Sequence, residues 1–225
     1  MTDPRPATRP SALIVPVGRL LGTLYTRSGS AEHHVTVRLG SELLQLDDDE
    51  FAIWWLSHGM ADRAEEDWTE AAIVQAARDV GFPEAEPVIE RLWARGLVEE
   101  VRRATPEATQ FAERYRLVPQ LLGLGNNPEE PWNYQIGLFG RPVIQMPGAL
   151  YDLWRWAVVD EHLWNACQGA AALAKQVGVT APDEIDPELL LDALLVMLHP
   201  LLSVQALHLD LRHGATRQDR TAGRA

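Results

Sequence analysis

The stretch Val35 to Ser57, VTVRLGSELLQLDDDEFAIWWLS, returns in altered form one hundred residues later, and no other feature constrains the fold of this chain as strongly. Laid together without gaps, Leu39-Gly40-Ser41-Glu42-Leu43-Leu44-Gln45-Leu46 falls on Phe139-Gly140-Arg141-Pro142-Val143-Ile144-Gln145-Met146, and Glu50 to Trp54 falls on Leu150 to Trp154. Gly40, Gln45 and Trp54 recur as Gly140, Gln145 and Trp154, and the apolar positions 39, 43, 44, 46, 51, 53 and 56 meet apolar partners throughout. Upstream, Leu20-Leu21-Gly22 is echoed by Leu121-Leu122-Gly123. A pattern kept while its letters change is the mark of a duplicated supersecondary unit. The 225 residues leave room for two such units of roughly 100 residues each.

Local patterns give each copy the same elements. Ser11 to Thr26 reads as short extended segments broken by Pro16, Gly18 and Gly22, with a turn at Arg27 to Ser30. Val35 to Leu39 and Glu42 to Leu46 form a hairpin across Gly40-Ser41. Asp47 then caps a helix, with Glu50 three residues on, and the acids favour the positive end of its dipole. That helix ends near Gly59. Further helices are expected at about Trp68 to Val80 and Glu84 to Arg95, closed by Gly96, and a strand at Leu97 to Arg102. In the second copy the strands are Tyr134 to Leu138 and Val143 to Met146. Its helices are Ala149 to Val159, Glu161 to Val177 and Pro187 to His199, with a closing strand within Ser203 to Leu211. Gly123 to Pro128 reads as a loop. The predicted class is therefore α+β and helix-rich, with tandem winged-helix-like units, each a small antiparallel sheet plus about three helices. The expected divisions are a flexible tail at 1–10, copy one at 11–104, a linker helix at 105–119, copy two at 120–212 and a basic flexible tail at 213–225.

Pro187 to Leu211 is apolar almost all round, which predicts either tight packing between the copies or a homodimer through this segment. The net charge of −12 opposes non-specific attraction to nucleic acid or anionic lipid. The N-terminus has no apolar signal-type core and no run reaches the ~20 apolar residues of a membrane span, so a cytoplasmic location is expected. The single cysteine, Cys167, lies in an apolar stretch and reads as a buried structural thiol.

The chemistry-bearing motifs give no catalytic or metal-binding candidate and imply no cofactor. His33 and His34 adjoin on a strand and so point to opposite faces, and the other histidines stand without partners at helical spacing. There is no nucleophile elbow, P-loop or paired-cysteine spacing. A winged-helix outline invites DNA binding through the third helix, but Glu84, Glu86 and Glu90 would face phosphates there. Nucleic acid is thus the weaker partner class, supported by Arg102-Arg103 and the basic tails.

Leu46-Asp47, Glu50, Ile53-Trp54, Leu56, Gly59, Leu92 and Gly96-Leu97-Val98 together resemble the PqqD-like winged-helix peptide-recognition domains, over roughly Val35 to Val101. The resemblance implies that a peptide is added as a strand beside the sheet, its side chains entering a groove against the third helix. Glu42, Leu43 and Leu44 on the edge and Val88, Arg91, Leu92 and Arg95 on the helix are then the peptide-binding residues. Strand addition also has a general basis, since an edge strand offers unpaired backbone donors and acceptors. The sequence thus predicts a non-enzymatic adaptor or regulator that binds protein or peptide. The alternatives are a DNA-binding transcriptional regulator, and an enzyme or enzyme subunit whose site assembles only in three dimensions.

Overall fold

Each half of the chain opens on a strand that is paired only when its own unit closes. In the computed structural model, which describes residues 11–25 and 33–216, β1 (Ala12–Pro16) pairs antiparallel with β5 (Val98–Arg102). A second sheet has the order β2-β3-β4, from β2 (Arg19–Tyr25), β3 (His33–Leu39) and β4 (Glu42–Leu46). Between the hairpin and β5 come α1 (Asp48–Leu56), α2 (Glu70–Asp79) and α3 (Glu86–Ala94). After α4 (Pro106–Arg114) the order repeats as β6 (Tyr115–Pro119), β7 (Leu122–Asn126), β8 (Asn133–Leu138) and β9 (Arg141–Pro147). The helices α5 (Gly148–Trp156), α6 (Leu163–Gln176), the single turn α7 (Pro182–Ile185) and α8 (Pro187–Ser203) follow, and β10 (Leu207–Leu211) closes on β6. The fold is α+β with small antiparallel sheets. No helix among the described residues is long and apolar enough to cross a membrane. The tail expected at 1–10, residues 217–225 of the tail expected at 213–225, and the turn at Arg27 to Ser30 lie outside the described residues.

The two tryptophans of the repeat occupy the same place. Trp54 Nε1 donates to the carbonyl of Leu97 at 3.1 Å and Trp154 Nε1 to that of Ala206 at 3.1 Å, in each case the residue just before the closing strand. Both indoles are buried, so each needs such a partner. The turn into the closing strand is also the same. Leu97 N–H bonds back to Leu92 and Ala206 N–H to Leu201, through Gly96 at φ +71° and Gln205 at φ +56°. A left-handed Gln costs about 1 kcal/mol relative to Gly, and its side chain offsets part of this by donating to the Leu202 carbonyl at 3.1 Å.

Elsewhere the ungapped alignment slips. The hairpin turns are Gly40-Ser41 and Phe139-Gly140, so the two glycines share a turn but stand one position apart. An unpaired Val143, bulged between Pro142 and Ile144, restores the register, and Gln45 and Gln145 then fall opposite Thr36 and Gln135. Upstream, Leu20 and Gly22 flank a bulge matched by Gly123 and Gly125.

Several boundaries need correction. The linker helix expected over 105–119 ends at Arg114, because Tyr115 and Leu117 turn into the core as alternate residues of β6; the second unit therefore begins at 115 and not at 120. The expected loop at Gly123 to Pro128 starts as strand β7, where Gly123 packs closely: a Cβ on it would stand 2.2 Å from the Tyr151 hydroxyl. Pro200 does not end α8, which runs on to Ser203. Proline forfeits one helical hydrogen bond there, but burial of Leu201 and Leu202, each worth about 1.5–3 kcal/mol, outweighs the loss. Most of the apolar surplus of α8 is covered within the chain by α4, α5, α6 and α7, with Leu190, Leu191, Leu194, Leu195 and Leu198 all buried, while Leu189 and Val196 stay about half exposed.

The units share one hydrophobic core, and among the described residues polar ties cross between them: the Tyr115 hydroxyl donates to Glu99 at 2.9 Å, and three more follow. Gly18 N–H donates to the Leu209 carbonyl at 2.7 Å, and the His199 ring bonds the Ile14 carbonyl at 2.9 Å. The last tie is Asp210 on β10, which accepts from Gly40 N–H at 2.7 Å and pairs with Arg116 at 3.2 Å and Arg38 at 3.5 Å. Gly40, at φ +58°, has Leu211 Cδ1 3.2 Å from where a Cβ would stand, so the tip of the first hairpin fits the second unit only as glycine.

Candidate functional site

β4 is an outer strand of its sheet, and its backbone shows which residues face away from β3. The Arg95 guanidinium donates to the Gln45 carbonyl, so Gln45 turns its backbone outward. Alternation along an antiparallel pair gives Leu43 the same orientation. Leu43 is 64% exposed, whereas Leu44 and Leu46 on the opposite face are buried. The corresponding edge of the second unit is built differently. β9 has Pro142, which lacks an N–H, at the position of Leu43; it bulges at Val143 and ends on Pro147. Proline and bulges are the usual means of blunting a sheet edge. β4 has neither.

A buried carboxylate organises the ground beside this edge. Glu50 completes the capping box of α1, its backbone N–H donating to Asp47 Oδ1 at 2.7 Å and its side chain accepting from Asp47 N–H. The same carboxylate pairs with Arg95 and, at 3.9 Å, with Arg91. The acidic run Asp47 to Glu50 is thus the cap and first turn of α1, and its fourth member holds Arg91 of α3 and also Arg95, the C-cap of α3, which lies against β4. Of the seven residues expected to bind peptide, Glu42, Leu43, Arg91 and Arg95 reach the surface. Leu44, Val88 and Leu92 do not: they pack in the core of the first unit and cannot line an open groove. The resemblance brought Val88 and Leu92 forward, but their helical spacing puts them on the buried face of α3, and the exposed face presents Pro87, Glu90, Arg91 and Ala94.

A second concavity went unread in the sequence. A cavity of about 700 Å³ opens on the second unit between α5, α6 and the Pro131-Trp132 segment before β8. Its signal is compositional and easily taken for core: alanine and glycine at helical spacing along α6, with Trp132 and Trp156 left on the surface.

The buried titratable groups are built into the frame. His58 and His199 are each lowered to about 4 by burial, and their rings bond the carbonyls of Trp54 at 3.0 Å and Ile14 at 2.9 Å. His208 is likewise lowered to about 4 by burial. Burial, with Asp160 nearby, pushes the Cys167 thiol up to about 12, far from a reactive thiolate. Among the described residues, no three His, Cys, Asp or Glu side chains gather as metal ligands do. The chain matches no protein-family model, no curated protein and no solved structure with which it was compared.

Proposed function

We propose that the first unit captures an extended peptide segment by strand addition at β4, and that the protein works as a non-enzymatic adaptor or regulator through this contact. The observation that carries the reading is the difference between the two edges of one duplicated sheet: β9 is blunted by Pro142 and a bulge, while β4 is left bare with Leu43 exposed. An incoming strand would pair with the outward backbone of Leu43 and Gln45, displace Arg95 from the Gln45 carbonyl, and lay side chains beside Leu43 and Arg91. The resemblance of the first unit to peptide-recognition domains agrees with this placement. Nucleic-acid binding has less support, because the arginines it would draw on are engaged: Arg102 pairs with Glu100, Arg103 with Asp67, Arg78 with Glu86, and Arg91 and Arg95 with Glu50.

Calorimetric titration of the full chain with peptides selected from an array of extended sequences tests the reading. Leu43→Pro removes an outward N–H and adds a clash without entering the core, so it should weaken binding at least about tenfold, the equivalent of one or two backbone hydrogen bonds. Pro142→Ala on the other edge should change nothing. Equal affinity of native protein and Leu43→Pro would move the site elsewhere. A steeply salt-dependent mobility shift with DNA would favour the regulatory alternative.

A further inference from the structure

We infer that the cavity of the second unit is a docking groove for an amphipathic helix with a basic flank, a site separate from β4 and independent of its reading. The floor of the groove is one stripe of α6: Ala166, Gly169, Ala170, Leu173, Ala174 and Val177. Spaced by three or four residues, these lie on one helix face. A Cβ built on Gly169 meets nothing within 4 Å, so the face is open above it. From Ala166 to Val177 the stripe runs about 16 Å, the length of about three helical turns. Small side chains along such a stripe let a second helix approach closely, and the surrounding side chains supply the walls. Trp132 and Trp156 stand 65% and 56% exposed, and Leu173 and Val177 are 60% and 69% exposed. A contiguous apolar surface of this kind is uncommon on a soluble chain unless something docks there, and exposed tryptophans are the residues that dominate docking energies.

Charge selects the occupant. The polar side chains of the groove include Asp152, Asp160 and Glu184, and its lining contains no Lys, Arg or His. A helix with apolar anchors at i, i+4, i+7 and i+11 and lysine or arginine beside them satisfies both the floor and the rim. An extended strand finds no open backbone here, since β9 is blunted by Pro142, Val143 and Pro147. A second copy of the chain, at net charge −12, would bring acids toward acids. The basic sequence from Arg217 to Ala225 contains no large apolar residue to anchor it.

The test is titration of the full chain, followed by tryptophan fluorescence and calorimetry, with two synthetic helices. Both carry leucine at the four anchor positions, one with lysine flanks and the other with glutamate. The lysine helix should bind with a Kd on the order of 10 µM and its twin at least about tenfold more weakly. Leu173→Asp and Gly169→Trp, at exposed or open positions and checked for native melting, should each weaken the lysine helix at least about tenfold. Leu43→Pro should leave it unchanged, which separates this site from the β4 edge. Equal binding of the twins, unchanged binding in both groove variants, or no saturation up to about 1 mM would overturn the proposal. So would a dimer of the native chain that Leu173→Asp dissolves, because the groove would then belong to a second copy.

Discussion

Asp210→Ala probes the seam between the units, and its cost can be worked from the coordinates. The carboxylate is 1% exposed and receives Gly40 N–H, Leu211 N–H, Arg116 and Arg38. Removing one partner of a buried ion pair costs about 3–5 kcal/mol, chiefly because the other charge is left uncompensated. Arg116, with its side chain 17% exposed, fits that case; Arg38, at 37%, can turn to water and contributes at the level of a surface pair, under about 1 kcal/mol. The sum is at least about 3 kcal/mol for Asp210→Ala. Asp210→Asn, which keeps an acceptor for Gly40 N–H but gives up the charge, should cost about 2 kcal/mol. For a chain of this length, about 3 kcal/mol lowers Tm by about 6–12 °C. Urea unfolding and calorimetry measure both, and a cycle with Arg38→Ala separates the charge pair from the Gly40 contact. A cost below about 0.5 kcal/mol, the range of ordinary surface substitutions, would refute the reasoning.

Three further expectations follow from the same geometry. Trp54→Phe and Trp154→Phe each lose the same indole-to-carbonyl bond and part of a buried ring, so each should cost about 2 kcal/mol in urea unfolding; a neutral result for one alone would break the equivalence of the units. His58, His199 and His208 are held near 4, below their ordinary 6.5. Unfolding therefore takes up protons between those values, and stability, complete above pH 6.5, is lost as pH falls toward about 4. The slope near pH 5 should approach on the order of 4 kcal/mol per pH unit if all three take part, and a flat stability between pH 6.5 and 5 would contradict their burial as neutral rings. Cys167 should react with a thiol reagent at pH 8 at least about a hundredfold faster in urea than in the native protein, and equal rates would place it at the surface.

What the sequence could and could not disclose divides along one line. Short-range chemistry is readable: the Asp47 and Glu50 capping box, the Gly40-Ser41 hairpin, the Gly96 helix stop and the hairpin-helices-strand order of the first unit all follow from neighbours a few residues apart. Pairings over long distances are not. Nothing local in Tyr115 to Pro119 shows that β10, some ninety residues on, will hold it as a strand, so the helix expected over 105–119 overruns Arg114. A repeat aligned by letters also conceals a compensated slip, since the offset turn at Phe139-Gly140 and the bulge at Val143 cancel within five residues. At the candidate site the resemblance points to β4 and α3 without separating the buried face of α3 from its exposed one. Val88 and Leu92 are apolar for the core, and the arginines on the next turn carry the surface.

The divergence of the two units can be traced to what each one touches. The tip of the first hairpin is fixed by Gly40 against Asp210 and Leu211, so β4 is held from beside its turn and can stay unblunted without losing register. The tip of the second hairpin makes no such contact among the described residues, since a Cβ on Gly140 would meet nothing within 4 Å. Phe139 at its tip is 93% exposed, and its edge carries the proline and bulge that an unsupported strand needs against unwanted pairing. A duplicated module thus arrives at two different surfaces from one plan: an edge without proline or bulge where the other unit steadies its turn, and a blunted edge beside an open groove where the hairpin tip stands exposed. If this is the physical reason for the asymmetry, Asp210→Ala should do more than lower Tm. By freeing the Gly40 turn it should raise amide exchange of Leu44 and Leu46, whose N–H groups face β3, while leaving Ile144 and Met146 of β9 at their native rates. Equal acceleration on both strands would mean that the seam supports the whole chain and not the β4 edge in particular.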